Sequence, residues 1–204
     1  MYSMASDQQR DFKELDQFVQ QSFEDSDGFP HELYSLALGN RSKGKDQNSG
    51  RKYLLIRLGG NCFAVPLSVV REVVGLPQIS ELPNMPPFFA GLINLRGKIV
   101  SAIQLSKSLE SLVKKKTTSK KTKRSCVVIT DYQSRLFGAI IDDVVSVVNI
   151  APEAIDHSMD EVANAEYFTG IIKFENGVLA PILNLEKALR IQELIRIEEV
   201  RKVA

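Results

Sequence analysis

The chain carries one pattern twice. Residues 63–74 (FAVPLSVVREVV) have a counterpart at 137–148 (FGAIIDDVVSVV). Residues 88–93 (FFAGLI) are matched by 167–172 (YFTGII), and 101–105 (SAIQL) by 181–185 (PILNL). Phe63 and Phe137, Phe89 and Phe168, and Leu105 and Leu185 stand 74, 79 and 80 residues apart, so the order is kept while the spacing grows slightly. Two copies are too few for a solenoid, so the duplication predicts a pair of packed, similar subdomains. Neither copy contains a catalytic constellation, which points toward a scaffold with two similar halves.

Within each copy the texture is that of short strands broken by turns, the pattern of small barrels. In the first, residues 53–58, a turn at Gly59-Gly60-Asn61 and residues 62–65 read as a hairpin. Pro66 closes its second strand, and residues 67–74 read as a short helix running into a strand. Pro77, Pro83, Pro86 and Pro87 make the next stretch irregular. Residues 91–95, an Arg96-Gly97 turn and residues 98–105 give another hairpin. The second copy repeats the plan: a hairpin over 125–141 turning at 131–134, a strand-like run over 142–150, loop with some helix over 152–165, and a last hairpin turning at Asn176-Gly177. Residues 185–203 read as one helix with a broad apolar stripe, supported by the i,i+4 pairs Glu186/Arg190 and Glu198/Lys202.

These features divide the chain into an N-terminal extension (1–50), a first barrel (51–112), a Lys-rich interval (113–124), a second barrel (125–184) and a C-terminal helix packing on the barrels (185–204). In the extension, Phe12, Leu15, Val19 and Phe23 recur at helical spacing over 7–24, with Phe18 beside them. A second short helix fits 31–38, and residues 39–50 have the Gly/Ser/Lys/Asn composition of a linker. Two readings stand for the extension: a tethered docking helix or a weakly ordered tail. Net charge is +1 overall, but −4 over 1–50, +4 over 51–110, +7 over 111–124 and −6 over 125–204. Opposite polarity on two similar units suits head-to-tail association with a partner. The Lys-rich interval reads as a solvated loop, or as a contact for nucleic acid, acidic lipid or an acidic protein face.

No motif gives a reaction class. His31 and His157 lie at no metal-ligand spacing, and neither a Gly-rich phosphate loop nor a nucleophile elbow is present. The adjacent Asp142 and Asp143 fall on opposite faces of a strand. Cys62 and Cys126 sit in apolar strand-like surroundings and read as buried free thiols. No apolar run approaches the roughly 20 residues of a spanning helix, and no secretory signal is visible.

One stretch is more specific. Residues 89–100 (FAGLINLRGKIV) resemble the signature of the CheW-like domain family, bacterial chemotaxis coupling proteins. So do Phe137-Gly138 with Asp142 and Val144, and residues 166–170 (EYFTG); the likeness runs in order from about 53 to 189. The resemblance implies a mainly β fold of two packed five-stranded small barrels, no enzymatic activity and no cofactor. It implies a cytoplasmic adaptor at the membrane-associated receptor array, linking the cytoplasmic tip of chemoreceptors to the regulatory domain of a CheA-type histidine kinase. No nucleic acid and no direct membrane insertion are expected. A related chemosensory-like pathway, serving pili or gliding, is the alternative; a nucleic-acid-binding small barrel ranks below both.

Carried over by position, the resemblance nominates a receptor-binding set of Leu67, Val70, Glu72, Gly91, Arg96, Ile99, Phe137 and Val144, with Gly97 as a structural turn. The residue chemistry agrees in part. Gly97 takes positive φ at the turn, and Gly91 permits close approach of another backbone. Arg96 offers a planar, multidentate contact, with Glu72 as its partner. A purely structural Arg96–Glu72 brace is the competing reading. Ser101 and Gln104 depart from the Pro and Asp usual in the family.

Overall fold

The computed structural model describes residues 50–110, 125–158, 165–174 and 177–203, with side chains as far as Ile197. The segments expected as helices at 7–24 and 31–38, the linker that follows them and the Lys-rich interval 113–124 lie outside the described residues, as does the Glu198/Lys202 pair.

Eleven strands are described: β1 (Arg51–Leu58), β2 (Asn61–Pro66), β3 (Glu72–Gly75), β4 (Phe89–Leu95), β5 (Lys98–Gln104), β6 (Cys126–Tyr132), β7 (Arg135–Ile141), β8 (Asp143–Ile150), β9 (Ile155–Asp156), β10 (Phe168–Lys173) and β11 (Leu179–Leu183). A 3-10 turn at Leu67–Val69 leads into β3; α1 (Leu105–Ser108) follows β5, α2 (Leu185–Ala188) follows β11, and α3 (Ile191–Val203) follows α2. The strands form one sheet in the order β8-β1-β2-β11-β10-β9 and a second in the order β3-β6-β7-β5-β4. The fold is mainly β, two small barrels of five strands each, with β9 as an additional two-residue strand in the first sheet.

The two sequence copies exchange strands. The first sheet takes β1 and β2 from the first copy and β8 to β11 from the second; the second sheet takes β6 and β7 from the second copy and β3, β4 and β5 from the first. The boundary at 113–124 therefore separates two copies in sequence but not two barrels. The copies meet twice in each sheet: through a parallel pair, β5 with β7 (Ser101 opposite Phe137) and β2 with β11 (Ala64 opposite Ile182), and through an antiparallel pair, β3 with β6 and β1 with β8. All other pairings are antiparallel, several of them tight hairpins.

The alternation along each strand shows where the cores lie. In β1, Leu54, Ile56 and Leu58 point to the space between the barrels, while Tyr53 and Leu55 point into their own barrel. In β7, Phe137, Ala139 and Ile141 point to the shared space, and Ile140 into the second barrel. Both faces are buried, so these strands read as continuous apolar runs. The shared core contains 22 buried residues among those described, against 10 and 6 in the barrel interiors. Each such side chain stabilises the fold by roughly 1.5–3 kcal/mol, so most of the apolar burial belongs to neither barrel alone.

The C-terminal helix is not continuous. Arg190 takes φ +52 between α2 and α3, and its guanidinium pairs with Glu193 at 2.7 Å while lying 4.4 Å from the ring centroid of Phe88. The expected Glu186/Arg190 pair is replaced by a Gln192–Glu186 hydrogen bond of 3.2 Å. The break lets Leu185, Ala188 and Leu189 on one side, and Ile191 and Leu194 on the other, enter the shared core together. A straight helix presents a single stripe and does not follow that curved surface.

Both barrels are closed by the same glycine device. Gly91 takes φ +142 at a bulge in β4, and a Cβ there would collide with the Ser80 carbonyl oxygen and lie 2.6 Å from Ile79 Cγ2. This close approach allows Ser80 and Leu92 to exchange two 2.8 Å backbone hydrogen bonds, joining the chain beyond β3 to β4. The backbone that Gly91 admits is thus the chain's own. Gly170, at the equivalent bulge in β10, lies close to Asp156 of β9, where a Cβ would meet the carbonyl oxygen at 3.0 Å. Gly91→Ala is expected to cost at least ~2 kcal/mol, from the φ and the collision together, and to lower Tm in a thermal melt; Gly97→Ala meets open space and should cost less.

Candidate partner-binding site

The β4–β5 hairpin is the most exposed part of the second barrel that carries strong chemistry. Its turn has Arg96 at φ +50 and Gly97 at φ +84, the two positive values of a type I′ turn. The Gly97 N–H donates to Asn94 Oδ1 at 2.8 Å, fixing the turn from within. An arginine in the left-handed region costs of order 1 kcal/mol, a cost glycine avoids. Arg96 Nη2 lies 3.4 Å from Glu72 Oε2 on β3, and the arginine side chain is 76% exposed. An ion pair so open to water contributes under about 1 kcal/mol, so bracing the barrel accounts for little of it. Most of the guanidinium is presented to solvent beside an exposed apolar residue, Ile99, at 65%.

Beside this hairpin lies an open groove of about 890 Å³. Its apolar walls are Leu82, Met85, Phe89, Leu92 and Ile99, with Ile197 of α3 across from them. Arg71, Lys98 and Arg135 supply positive charge and Asp131 negative charge. Arg71 and Asp131 are tied at 3.2 Å, and the Ser134 N–H donates to the other Asp131 carboxylate oxygen at 3.0 Å, which holds the β6–β7 turn as a rim. Tyr132 accepts a 2.7 Å hydrogen bond from Gln192, anchoring the start of α3 to that rim.

The nominated residues divide by burial. Leu67, Phe137 and Val144 belong to the shared core, the last two only 2% exposed. They set the shape behind the surface; Phe137 still borders the groove at its floor. Val70 is half-buried against the core, and Gly91 is buried in the bulge between two groove residues. Glu72 and Arg96 form their ion pair away from the groove's lining, while Ile99 lines it. Leu82, Met85 and Ile197 were not among the nominated residues. Leu82 and Met85 fall in a Pro-rich stretch without periodicity, and Ile197 is far away in sequence.

The thiols are held protonated. Burial pushes Cys62 up to about 11 and Cys126 up to about 12, against the nearby Arg57 in the first case and reinforced by Asp143 and Asp142 in the second. No group of three or more potential metal ligands occurs among the described residues.

Comparison with known proteins bears on the family and the fold. The CheW-like domain family model matches residues 52–193, most of the chain. The chain is 25% identical over 167 residues to the chemotaxis protein CheW of Klebsiella aerogenes, covering 81% of this chain and 97% of that one. It is 27% identical over 133 residues to CheW of Rhizobium meliloti, covering 65% and 79% respectively. The crystal structure of the scaffolding protein TtCheW from Thermoanaerobacter tengcongensis superposes with a TM-score of 0.59 at 27% identity, over 66% of this chain and 89% of that one. With its paired barrels and exposed, charged hairpin, the chain belongs to the CheW-like domain family.

Two outcomes follow. Phe137→Ala should lower unfolding free energy by about 3–5 kcal/mol while Ile99→Ala changes it by under ~0.5 kcal/mol, as read by denaturant melts. At pH 8 the thiolate of native Cys62 should be about 100-fold scarcer than that of an ordinary cysteine, so thiol reagents should label the protein slowly until it is unfolded.

Proposed function

We propose that the chain is a non-enzymatic adaptor that couples the cytoplasmic tip of chemoreceptors to the regulatory domain of a CheA-type histidine kinase. It acts in the cytoplasm at the receptor array, by holding the two partners in register. The observation that carries this reading is the β4–β5 hairpin, which exposes Ile99 on the wall of an apolar groove and carries, outside the groove's lining, a largely solvated Arg96 paired with the half-buried Glu72. A helical receptor tip is a suitable occupant, because an amphipathic helix buries its apolar stripe in such a groove while its flanking charges meet the rim. Arg96 and Glu72 would then fix orientation, as a charged pair at the edge of an interface does. Membership of the CheW-like family supports the same assignment. No helix among the described residues is long and apolar enough to cross a membrane.

The test is a pull-down with a chemoreceptor cytoplasmic fragment and a CheA-type kinase, followed by kinase autophosphorylation. Arg96→Ala should melt within about 2 °C of the parent, because the pair is exposed, yet weaken ternary assembly by ~10-fold or more. Gly91→Asp is a poor probe, since it breaks the bulge. Normal assembly by Arg96→Ala would refute the role of the hairpin. Failure to bind any such partner, with salt-sensitive retention on DNA, would favour the nucleic-acid reading instead.

A further inference from the structure

The groove leaves Ile99 on its wall 65% exposed and Leu82 at 36%. Apolar surface kept in water at a concave site calls for an occupant. The chain itself supplies one of matching character. Phe12, Leu15, Val19 and Phe23 repeat at spacings of three and four, the stripe an amphipathic helix lays into a groove. On a helix Asp11 and Asp16 would border that stripe, and residues 7–24 carry five acidic side chains against two basic ones. The groove offers Arg71, Lys98 and Arg135 against the single carboxylate of Asp131. Charge and apolarity are thus complementary, within one molecule.

The connection is long enough. Tyr53 of β1 lies opposite Pro66, and five residues later Arg71 lines the groove. Gly50, three residues before Tyr53, is therefore at most about 35 Å from Arg71 along this path, at ~3.4 Å per extended residue. The residues between 24 and 50 span up to roughly 85 Å when extended. Attachment to the same chain also raises the effective concentration of the segment at the groove to the millimolar range for short connections, ahead of any free partner.

We infer that the acidic amphipathic segment 7–24 is the resident occupant of this groove, lying there until a partner helix displaces it. Its role as a competitor rests on the function proposed above, whereas its docking does not.

The experiment places the photo-crosslinker p-benzoylphenylalanine at Ile99 in the full-length protein and maps adducts by proteolysis and mass spectrometry. Adducts should concentrate in peptides from 7–24. Their yield should be unchanged on 100-fold dilution and should drop about tenfold in Leu15→Asp/Val19→Asp. Leu179, 55% exposed at the equivalent position of the other barrel, is the control and should give few such adducts. Absence of adducts in 1–49, equal yields from Leu179 and Ile99, or a yield that falls with dilution would each overturn the inference; the last would assign the groove to a second copy. Receptor-fragment affinity should rise several-fold in Leu15→Asp/Val19→Asp. Intrachain adducts in a protein that binds no receptor fragment would uphold the docking and refute the adaptor reading.

Discussion

The apolar space between the two sheets is the constraint on which the rest of this fold depends. Leu54, Ile56 and Leu58 of β1 meet Phe137, Ala139 and Ile141 of β7 there, and the turns at the C-terminal end seal it with Leu185, Leu189, Ile191 and Leu194. Because every barrel contains strands from both copies, this core cannot be assembled from one copy alone. Strand exchange converts a tandem duplication into one cooperative unit. It also ties the surface elements to one core. The β4–β5 hairpin, the β6–β7 rim and α3 all stand on side chains that enter the same core, so their spacing around the groove is set by packing and not by loops.

Much of this was legible in the sequence, for a physical reason. Turn chemistry is local: Gly59-Gly60, Arg96-Gly97 and the β6–β7 turn at 131–134 all mark hairpins that the structure contains. The duplication announced two similar units. What sequence reasoning missed was partnership. Exchange between copies leaves each strand's composition unchanged, because β3 pairs with β6 of the other copy just as an apolar strand pairs with any other. The break at Arg190 was hidden for a related reason. The residues around it have good helix propensity, and only the curvature of the core that α2 and α3 cover requires a left-handed residue there.

The candidate site was less legible. In a strand buried on one face, alternation separates inward from outward residues. In β7 and β8 both faces are covered, so Phe137 and Val144 gave no sign that they pack in the core rather than present themselves to a partner. The residues that remain accessible, Arg96 and Ile99, lie at and just after a type I′ turn, where the pattern ends and exposure is enforced by the hairpin's geometry. Leu82, Met85 and Ile197 gain their place only because a Pro-rich loop and the last helix converge in space.

The near-symmetry of the fold makes its chemical asymmetry informative. Ile99 and Leu179 occupy equivalent positions and are both exposed, so an apolar residue at that point is a property of the architecture. The preceding third strands differ. Arg71 and Glu72 in the first copy stand where the second has Val145 and Ser146, and Val70 stands where the second has Val144. β8 lies between the shared core and its own barrel interior, with Val144, Val145 and Ser146 all buried, whereas β3 is four residues long and mostly half-buried. An unpaired buried charge costs several kcal/mol, so the buried strand carries charge only at Asp143, where Arg57 lies 3.9 Å away, whereas a partly wet strand admits it more readily. The short, open β3 is therefore what permits Arg71 to pair with Asp131 on the rim and Glu72 to meet Arg96 at the hairpin. Among the described residues, two copies of one barrel plan therefore differ in charge at this point, because the first leaves its third strand at the surface and the second buries it.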